Sequence, residues 1–451
     1  MKSASLMTRC CIPVLIMVTA GIEMGFAESS WSQTPPPPVI TSSTPPSDVE
    51  IPEGFRGNPI AFFDDFSWKT FIALVWPALE GERGVPDPKQ TVDGSGPRVF
   101  ETYKALYEMF HSDGSAPAPW NDFDPAGYNP CDVAIRWGDL TLGSFSRFSD
   151  LGQPGFGSLA GPLVAQNTTY VRFLTTYNIV EYKQIVFGEW YVRKKLPANI
   201  SFDNGAIDTK SAWMDMSGAS HPERYYARTA WVLDPVSGKS SPKKVGLVGL
   251  HIVVKTPSRP QWIWMTFEQV DNVPPLQPGT AGAFGPGTSN FNDGTGIHMP
   301  GKNPHSLQRV LAAPTAAPFN VERLKPIHAS TKTTNAAYRA ALHGTVWENY
   351  QLVATQWPRV PDSPSNPGAP PNTLPGTPPP KDSTAFANVT LETFDQKSVF
   401  TSCMACHNVT KGATDFLWSL KDHAYPAKLS TPNLIMKYPA VRAFGSSLKQ
   451  Q

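Results

Sequence analysis

Two cysteines and a histidine near the C-terminus have the spacing of a covalent haem-attachment site. They lie in the run Cys403-Met404-Ala405-Cys406-His407. In this pattern two thiols add to the two vinyl groups of haem, and the adjacent imidazole ligates the iron. With Cys and His each at roughly one to two per cent of residues, such a run arises by chance in about one chain of this length per thousand. The run therefore indicates haem chemistry.

Two other chemistries use closely spaced cysteines. A thioredoxin-like redox pair is expected beside a βαβ pattern, and none is evident around Cys403. A zinc site needs two further ligands at motif spacing, and the sequence has no second pair of cysteines at such spacing in this region. Cys10 and Cys11 lie in an N-terminal apolar segment, and Cys131 is predicted to be a buried free thiol. Haem remains the favoured interpretation.

The C-terminal part of the chain, residues 385–451, resembles a c-type cytochrome module. The resemblance rests chiefly on the attachment motif. It implies a small α-helical module in which Cys403 and Cys406 are the thioether anchors of one haem c and His407 is the proximal iron ligand. It also implies maturation outside the cytoplasm by haem-attachment machinery.

The sixth iron ligand is left open by the sequence, because only 44 residues follow His407. Met436 lies far enough downstream for the chain to pass round the haem and return, and a thioether ligand would raise the reduction potential. His423 would give bis-imidazole ligation instead. An open position or a ligand from the large domain are further alternatives. Met436 could equally be a core residue, and His423 a surface cap near a turn.

The N-terminus is typical of an export signal. Lys2 and Arg9 form a basic region, Cys10 to Ile22 is an apolar stretch of 13 residues, and Gly25-Phe26-Ala27 is a small-x-small cleavage site. A spanning helix needs about 20 apolar residues. We therefore predict a signal peptide at 1–27, a periplasmic bacterial protein and no transmembrane anchor after its removal.

Charge argues against two classes of partner. After removal of the signal peptide, 36 basic and 36 acidic residues remain. This balance disfavours general binding to nucleic acid or to anionic membranes. Residues 385–451 carry seven basic and four acidic residues. Such an excess suits docking on an exported redox partner protein with an acidic surface, although solvated lysines without a role are common.

Two proline-rich stretches divide the chain. Residues 28–50 are predicted to be a disordered leader. Residues 358–384 contain ten prolines and are predicted to be a linker that spans up to roughly 80 Å as polyproline II. The haem module could then dock on its own chain or reach another protein.

The large domain, residues 51–357, is predicted to be α+β, mainly antiparallel sheet with peripheral helices. The strand predictions rest on β-branched and aromatic residues, and a turn over Asp234–Lys239 predicts a hairpin with a long loop. The predicted strands are Tyr170–Tyr177, Ile179–Phe187, Tyr225–Leu233, Val245–Lys255 and Trp262–Val270. The predicted helices are Trp68–Val75, Phe100–Phe110 and Ala336–Glu348.

Three stretches of this domain are similar to bacterial exported proteins that end in a single haem-attachment motif. They are Phe63–Phe71, Gly249–Pro257 and Trp262–Asn272. This resemblance implies domain organisation but no activity.

Two functional hypotheses follow from the sequence. The favoured one is an electron-transfer protein whose single haem c shuttles electrons between exported partners. In the alternative, the large domain binds a substrate and the haem is the electron relay of a periplasmic oxidoreductase. For that alternative, His251, Glu268 and Asp271 could meet across a hairpin and exchange protons, whereas a buried structural histidine is the more common role. Catalytic residues are otherwise not identified.

Overall fold

The structure is a computed structural model that describes residues 37–55, 57–142, 163–234, 237–274, 289–293, 320–358, 387–393, 396, 403, 407 and 414–427. The predicted signal peptide, Cys406, Met436 and nearly all of the predicted linker lie outside the described residues. The described residues belong to one compact unit within Thr34–Gln451.

The described chain forms one curled sheet of eight strands. Six of the seven strand pairings are antiparallel, and the pairing of the second strand with the fifth is parallel. This arrangement confirms the predicted α+β class. The strands are β1 Lys104–Ala105, β2 Thr141–Leu142, β3 Arg172–Tyr177, β4 Ile207–Asp215, β5 Ala227–Leu233, β6 Ser240–Thr256, β7 Arg259–Gln269 and β8 Tyr350–Gln356.

The long strand β6 organises the sheet. One of its edges pairs with β4, while the other edge pairs first with β5 and then with β7. Its side chains alternate between two covered faces: Leu250 and Ile252 lie in one core cluster, and Val253 lies in another. We call these the helix face and the module face of the sheet, after what covers each of them.

Five helices accompany the sheet in the described residues. They are α1 Ile60–Leu74, α2 Leu106–Met109, α3 Ile179–Phe187, α4 Ala329–Ala341 and α5 Trp418–His423. Helices α1 and α4 contact each other and β8, and they cover the helix face. None of the described helices has both the length and the apolar character that crossing a bilayer would require.

Helix α1 is held to the sheet by a buried carboxyl group. Asp64 accepts hydrogen bonds from Thr331 Oγ1 of α4 at 2.7 Å and from Thr355 Oγ1 of β8 at 2.9 Å. Burial raises the pKa of Asp64 to about 7, and the two hydroxyl donors oppose that rise. The folded protein therefore holds a proton on this carboxyl group at pH values where the unfolded chain has released it.

Asp64 should make the protein less stable as the pH rises. Because its pKa is higher in the folded state, its contribution to the free energy of unfolding should fall between about pH 4 and pH 7, by up to about 1.4 kcal/mol per pH unit. Urea unfolding of Asp64→Asn over this range should show a flatter dependence on pH than the unsubstituted protein. An unchanged slope would contradict the protonated state of the buried carboxyl.

The predicted strand at Ile179–Phe187 is wrong, because this segment is helix α3. Asn178 caps the helix by accepting a hydrogen bond from the Glu181 backbone N–H at 3.3 Å. The buried residues Glu181, Tyr182 and Ile185 recur at helical spacing. Packing of that face overrides the β preference of the valines and aromatic residues.

The predicted helix at Phe100–Phe110 is also wrong over most of its length. A 3₁₀ turn at Val99–Thr102 is followed by β1 and by the short helix α2. The break arises because the main chain of β1 pairs with β3, at Lys104 and Tyr177. The helix predicted at Ala336–Glu348 is present as α4, shifted towards the N-terminus, and the helix predicted at Trp68–Val75 belongs to the longer α1.

Candidate haem-attachment site

Part of the predicted haem module lies on the module face of the sheet. Residues 414–427 and the side chain of Cys403 pack against strands β6 and β7 and helix α3. The buried members of this cluster include Val253, Trp262 and Trp264 from the sheet and Phe416, Leu417 and Leu420 from the module. The module segment that the structure describes is therefore docked on its own large domain.

A buried ion pair anchors this segment. Lys255 Nζ of β6 lies 2.5 Å from Asp415 Oδ2, and the two residues are 3 % and 0 % exposed. The same carboxylate oxygen accepts a hydrogen bond from the Phe202 backbone N–H at 2.8 Å. Desolvation raises the pKa of Asp415, and the Lys255 ammonium opposes that rise. Two partners thus compensate the burial of one carboxylate.

Arg193 holds the end of helix α5. Its guanidinium donates to the backbone carbonyls of Lys421 at 2.8 Å, Ala424 at 3.1 Å and Pro426 at 2.9 Å. These carbonyls include acceptors that the helix itself leaves without a partner at its C-terminus. The backbone N–H of Tyr425 donates a hydrogen bond to the backbone carbonyl of Tyr191 at 2.7 Å.

His407 is oriented by two contacts. Its Nδ1 lies 2.7 Å from the carbonyl oxygen of Phe416, and its ring lies 4.4 Å from the ring of Trp264 between centroids. Because a carbonyl can only accept, Nδ1 must carry the proton. The neutral ring then has its lone pair on Nε2, and the contact is the usual partner arrangement of a metal-ligating histidine.

The carbonyl that receives this hydrogen bond is presented by an unusual backbone. Asp415 and Phe416 have φ values of 49° and 71°, in the left-handed region that residues other than glycine rarely adopt. Each such residue costs on the order of 1–3 kcal/mol. The buried ion pair of Asp415 and the packing of Phe416 hold this conformation, which turns the Phe416 carbonyl towards His407.

The environment of His407 favours the neutral ring. Desolvation, with smaller contributions from Lys210 and His251, lowers its pKa to about 3, and the hydrogen bond to the Phe416 carbonyl opposes the change. A neutral imidazole is the form that binds iron. The residues therefore fit a haem ligand, with Cys403 on the same apolar surface.

A second segment of the predicted module also docks on the module face. Asn388 Nδ2 donates to Thr266 Oγ1 at 3.0 Å and to the Phe267 carbonyl at 2.7 Å, both in β7. Glu392 Oε1 lies 3.1 Å from His251 Nε2. Residues 387–393 and 414–427, which lie on either side of the attachment motif in the chain, thus both contact the adjacent strands β6 and β7.

Gly249 of β6 allows this approach. A Cβ atom at this position would lie 2.2 Å from Thr390 Oγ1 and 3.5 Å from Ala212 Cβ. We expect Gly249→Ala to lower the free energy of unfolding by about 1–3 kcal/mol, because the segment at 387–393 must shift. Adding Thr390→Ala should restore part of the loss in a double-mutant cycle measured by urea unfolding. Equal stability of Gly249→Ala and the unsubstituted protein would contradict this packing.

The other residues considered from the sequence lie as follows. His423 is buried at the end of α5, with its ring 6.2 Å from that of Phe110. Of the proposed proton-exchanging group, His251 contacts Glu392, whereas Glu268 pairs with Arg323 and Asp271 pairs with Arg224. The structure therefore does not bring His251, Glu268 and Asp271 together. The reason is that His251 lies opposite Thr266 in the register, and each carboxylate has its own arginine.

Cys131 is a buried thiol outside any disulfide, as predicted. Its Sγ donates to the carbonyls of Trp231 at 3.3 Å and Leu142 at 3.7 Å, and burial raises its pKa.

Comparison with known proteins does not assign the site. No family model, curated protein or solved structure matches the chain. Within the described residues, no group of three or more His, Cys, Asp or Glu side chains could hold a metal ion. A covalent haem is bound differently, since thioether links hold the porphyrin and only one or two side chains reach the iron.

Two described portions of the predicted leader and linker contact the large domain. Asp48 accepts hydrogen bonds from the backbone N–H and the hydroxyl of Ser258 at 2.8 and 2.6 Å. Ile40 and Val49 pack against the core on the helix face. At the other end of the large domain, Pro358 is buried.

Proposed function

We propose that this protein is an exported c-type cytochrome that carries one covalent haem c and transfers single electrons to or from an exported redox partner. The attachment motif supports the cofactor. The observation that carries the proposal is the hydrogen bond from His407 Nδ1 to the Phe416 carbonyl at 2.7 Å. It orients the imidazole and directs the lone pair to Nε2, the nitrogen needed for an iron bond.

A bound haem supplies one-electron chemistry at its iron, with a potential set by its axial ligands and surroundings. Cys403 and Cys406 would hold the porphyrin through thioether links. His407 would ligate the iron, and the Phe416 carbonyl would raise the basicity of the imidazole by accepting the Nδ1 proton. Trp264 and the docked segment would exclude water from one side of the imidazole.

The proposed location is the periplasm of a bacterium. The signal sequence at 1–27 and the attachment motif support this location together, because covalent attachment of haem c takes place after export. The sixth ligand is proposed to be Met436, with His423 as the alternative. The predicted division into leader, large domain, linker and haem module is part of the same proposal.

A second candidate is an oxidoreductase in which the large domain binds a substrate and the haem relays its electrons. One observation favours it. Glu181 is 0 % exposed, and neither of its carboxyl oxygens has a hydrogen-bond partner among the described residues. Desolvation and the neighbouring Asp208 raise the pKa of Glu181. A buried carboxyl group of this kind can exchange protons with a substrate.

Absorption spectra of the purified mature protein test the proposal. The expected result is a six-coordinate, low-spin haem that is reduced reversibly and does not bind carbon monoxide. His407→Ala should convert it to a high-spin or haem-deficient form, whereas His343→Ala, at an exposed histidine, should not. A high-spin haem that binds carbon monoxide in the unsubstituted protein would favour the oxidoreductase.

A further inference from the structure

The outer side of helix α3 exposes an unusual apolar side chain. Phe187 is 83 % exposed and Ile179 is 37 % exposed, and both share one helix face with Lys183. No other large apolar side chain in the described residues exceeds 41 % exposure. We call the surface formed by Ile179, Lys183, Phe187, Lys194, Lys195 and Tyr425 the α3 patch. Exposed apolar groups rimmed by polar ones often mark contact sites.

The rim of the α3 patch is basic. Lys183, Lys194 and Lys195 are exposed, and Glu189 is paired with Lys195 at 2.5 Å. The exposed Asp203 also lies beside α3, where its backbone N–H donates to Gln184 Oε1 at 2.7 Å. Arg193 turns away from the rim to bind the carbonyls of the module. Three ammonium groups against two carboxylates leave a net positive surface around Phe187.

Aromatic residues of one cluster extend from Trp190, which follows helix α3 in the chain, to the candidate haem site. Trp190, close to Phe187 in the chain, contacts Phe202 at 5.5 Å between ring centroids. Phe202 contacts Trp262 at 5.9 Å. Trp262 and Trp264, both in β7, belong to the same buried cluster. Trp264 contacts His407 at 4.4 Å. We call these five residues, from Trp190 to His407, the aromatic column.

We propose that the α3 patch is the docking surface for an acidic one-electron redox protein, and that the aromatic column is the route of the electron between that protein and the haem. This inference rests on the proposed function. A single electron moves from the reduced protein to the oxidised one. No bond is made or broken, and no proton is transferred. Electronic coupling falls steeply with distance, so closely spaced rings of one buried cluster provide a shorter path than widely separated rings.

Charge favours an acidic protein over other occupants. A positive rim around an apolar centre attracts a negative surface and repels a second copy of the same patch. Membrane binding by an amphipathic helix would need a longer apolar face than the two exposed side chains of the nine-residue helix α3 provide.

Stopped-flow reduction of the haem-loaded protein by a reduced, acidic plant-type [2Fe–2S] ferredoxin tests the docking surface. Phe187→Glu and Lys183→Glu should each lower the second-order rate constant about tenfold at low salt. Val85→Glu and Lys332→Glu, at exposed positions outside the patch, are matched controls and should stay within about twofold. Added salt should lower the second-order rate constant of the unsubstituted protein more than that of the patch variants.

The aromatic column is tested at saturating ferredoxin. Trp190→Leu should lower the first-order rate of reduction without changing the apparent affinity, and Trp190→Phe should retain most of the rate. Equal rates for all three proteins would exclude the column as the route.

Three results would overturn the docking proposal. The first is equal second-order rate constants for patch and control variants. The second is concentration-dependent dimerisation that Phe187→Glu abolishes, and the third is binding to phosphatidylglycerol vesicles that Phe187→Glu abolishes. Absence of haem from the unsubstituted protein would instead contradict the proposed function. Gel filtration with the ferredoxin would then still report whether the α3 patch binds an acidic protein.

Discussion

Lys255→Met is expected to lower the free energy of unfolding by about 3–5 kcal/mol, because it leaves Asp415 as a buried carboxylate without its counter-ion. The loss should shrink as the pH falls. Desolvation already raises the pKa of Asp415, so acid neutralises the uncompensated charge. Urea unfolding at several pH values measures both effects.

The same substitution should disturb the candidate haem site, because Asp415 precedes the residue whose carbonyl orients His407. We expect a partial loss of the low-spin spectrum in Lys255→Met. Adding Asp415→Asn removes the orphaned charge and should restore much of the stability. Lys332→Met, at an exposed lysine of α4, is the matched control and should change stability by no more than about 0.5 kcal/mol. Full stability and an unchanged spectrum in Lys255→Met would contradict the docked arrangement.

Cys403→Ser is expected to lose or weaken covalent retention of the haem while the large domain stays folded. The serine hydroxyl does not form the thioether that the thiol forms with a vinyl group. The thiol lies at the edge of the docked cluster, so its replacement removes few core contacts. Haem staining after denaturing electrophoresis measures retention, and far-ultraviolet circular dichroism measures folding.

Cys131→Ser provides the control for this experiment. Cys131 is buried beside β2 and β5 and takes no part in the proposed attachment. Haem retention should therefore be unchanged in Cys131→Ser, with at most a modest loss of stability. Equal haem retention in Cys403→Ser and in the unsubstituted protein would show that Cys403 forms no link.

Much of the sheet could be predicted from local patterns. The runs that became β3, β5, β6 and β7 are rich in β-branched and aromatic residues and lie beside turn residues. Strand β4 was not predicted, because four consecutive polar residues, 208–211, interrupt the apolar pattern of Ile207–Asp215. Thr209 and Ser211 are nevertheless buried, and Thr209 Oγ1 lies 2.7 Å from Thr176 Oγ1 of the paired strand β3. Such compensation depends on the partner strand and leaves no local signal.

The candidate site likewise contains some residues that could be predicted from the sequence and others that could not. His407 could be proposed from its adjacency to Cys406, because haem attachment requires a fixed spacing. Lys255 and Asp415 could not be paired, since they are 160 residues apart in the chain. The role of the Phe416 carbonyl could not be predicted either, because positive φ at a residue other than glycine has no marker in the sequence. Trp264 was visible only as one of many aromatic residues in a β-rich run.

The mass of the mature exported protein tests the central claim most directly. The account predicts that the denatured protein, purified from a host with haem-attachment machinery, has the mass of the processed polypeptide plus one haem and keeps its colour. A mass equal to the bare processed polypeptide, with no pigment retained after denaturation, would contradict covalent haem attachment at Cys403 and Cys406.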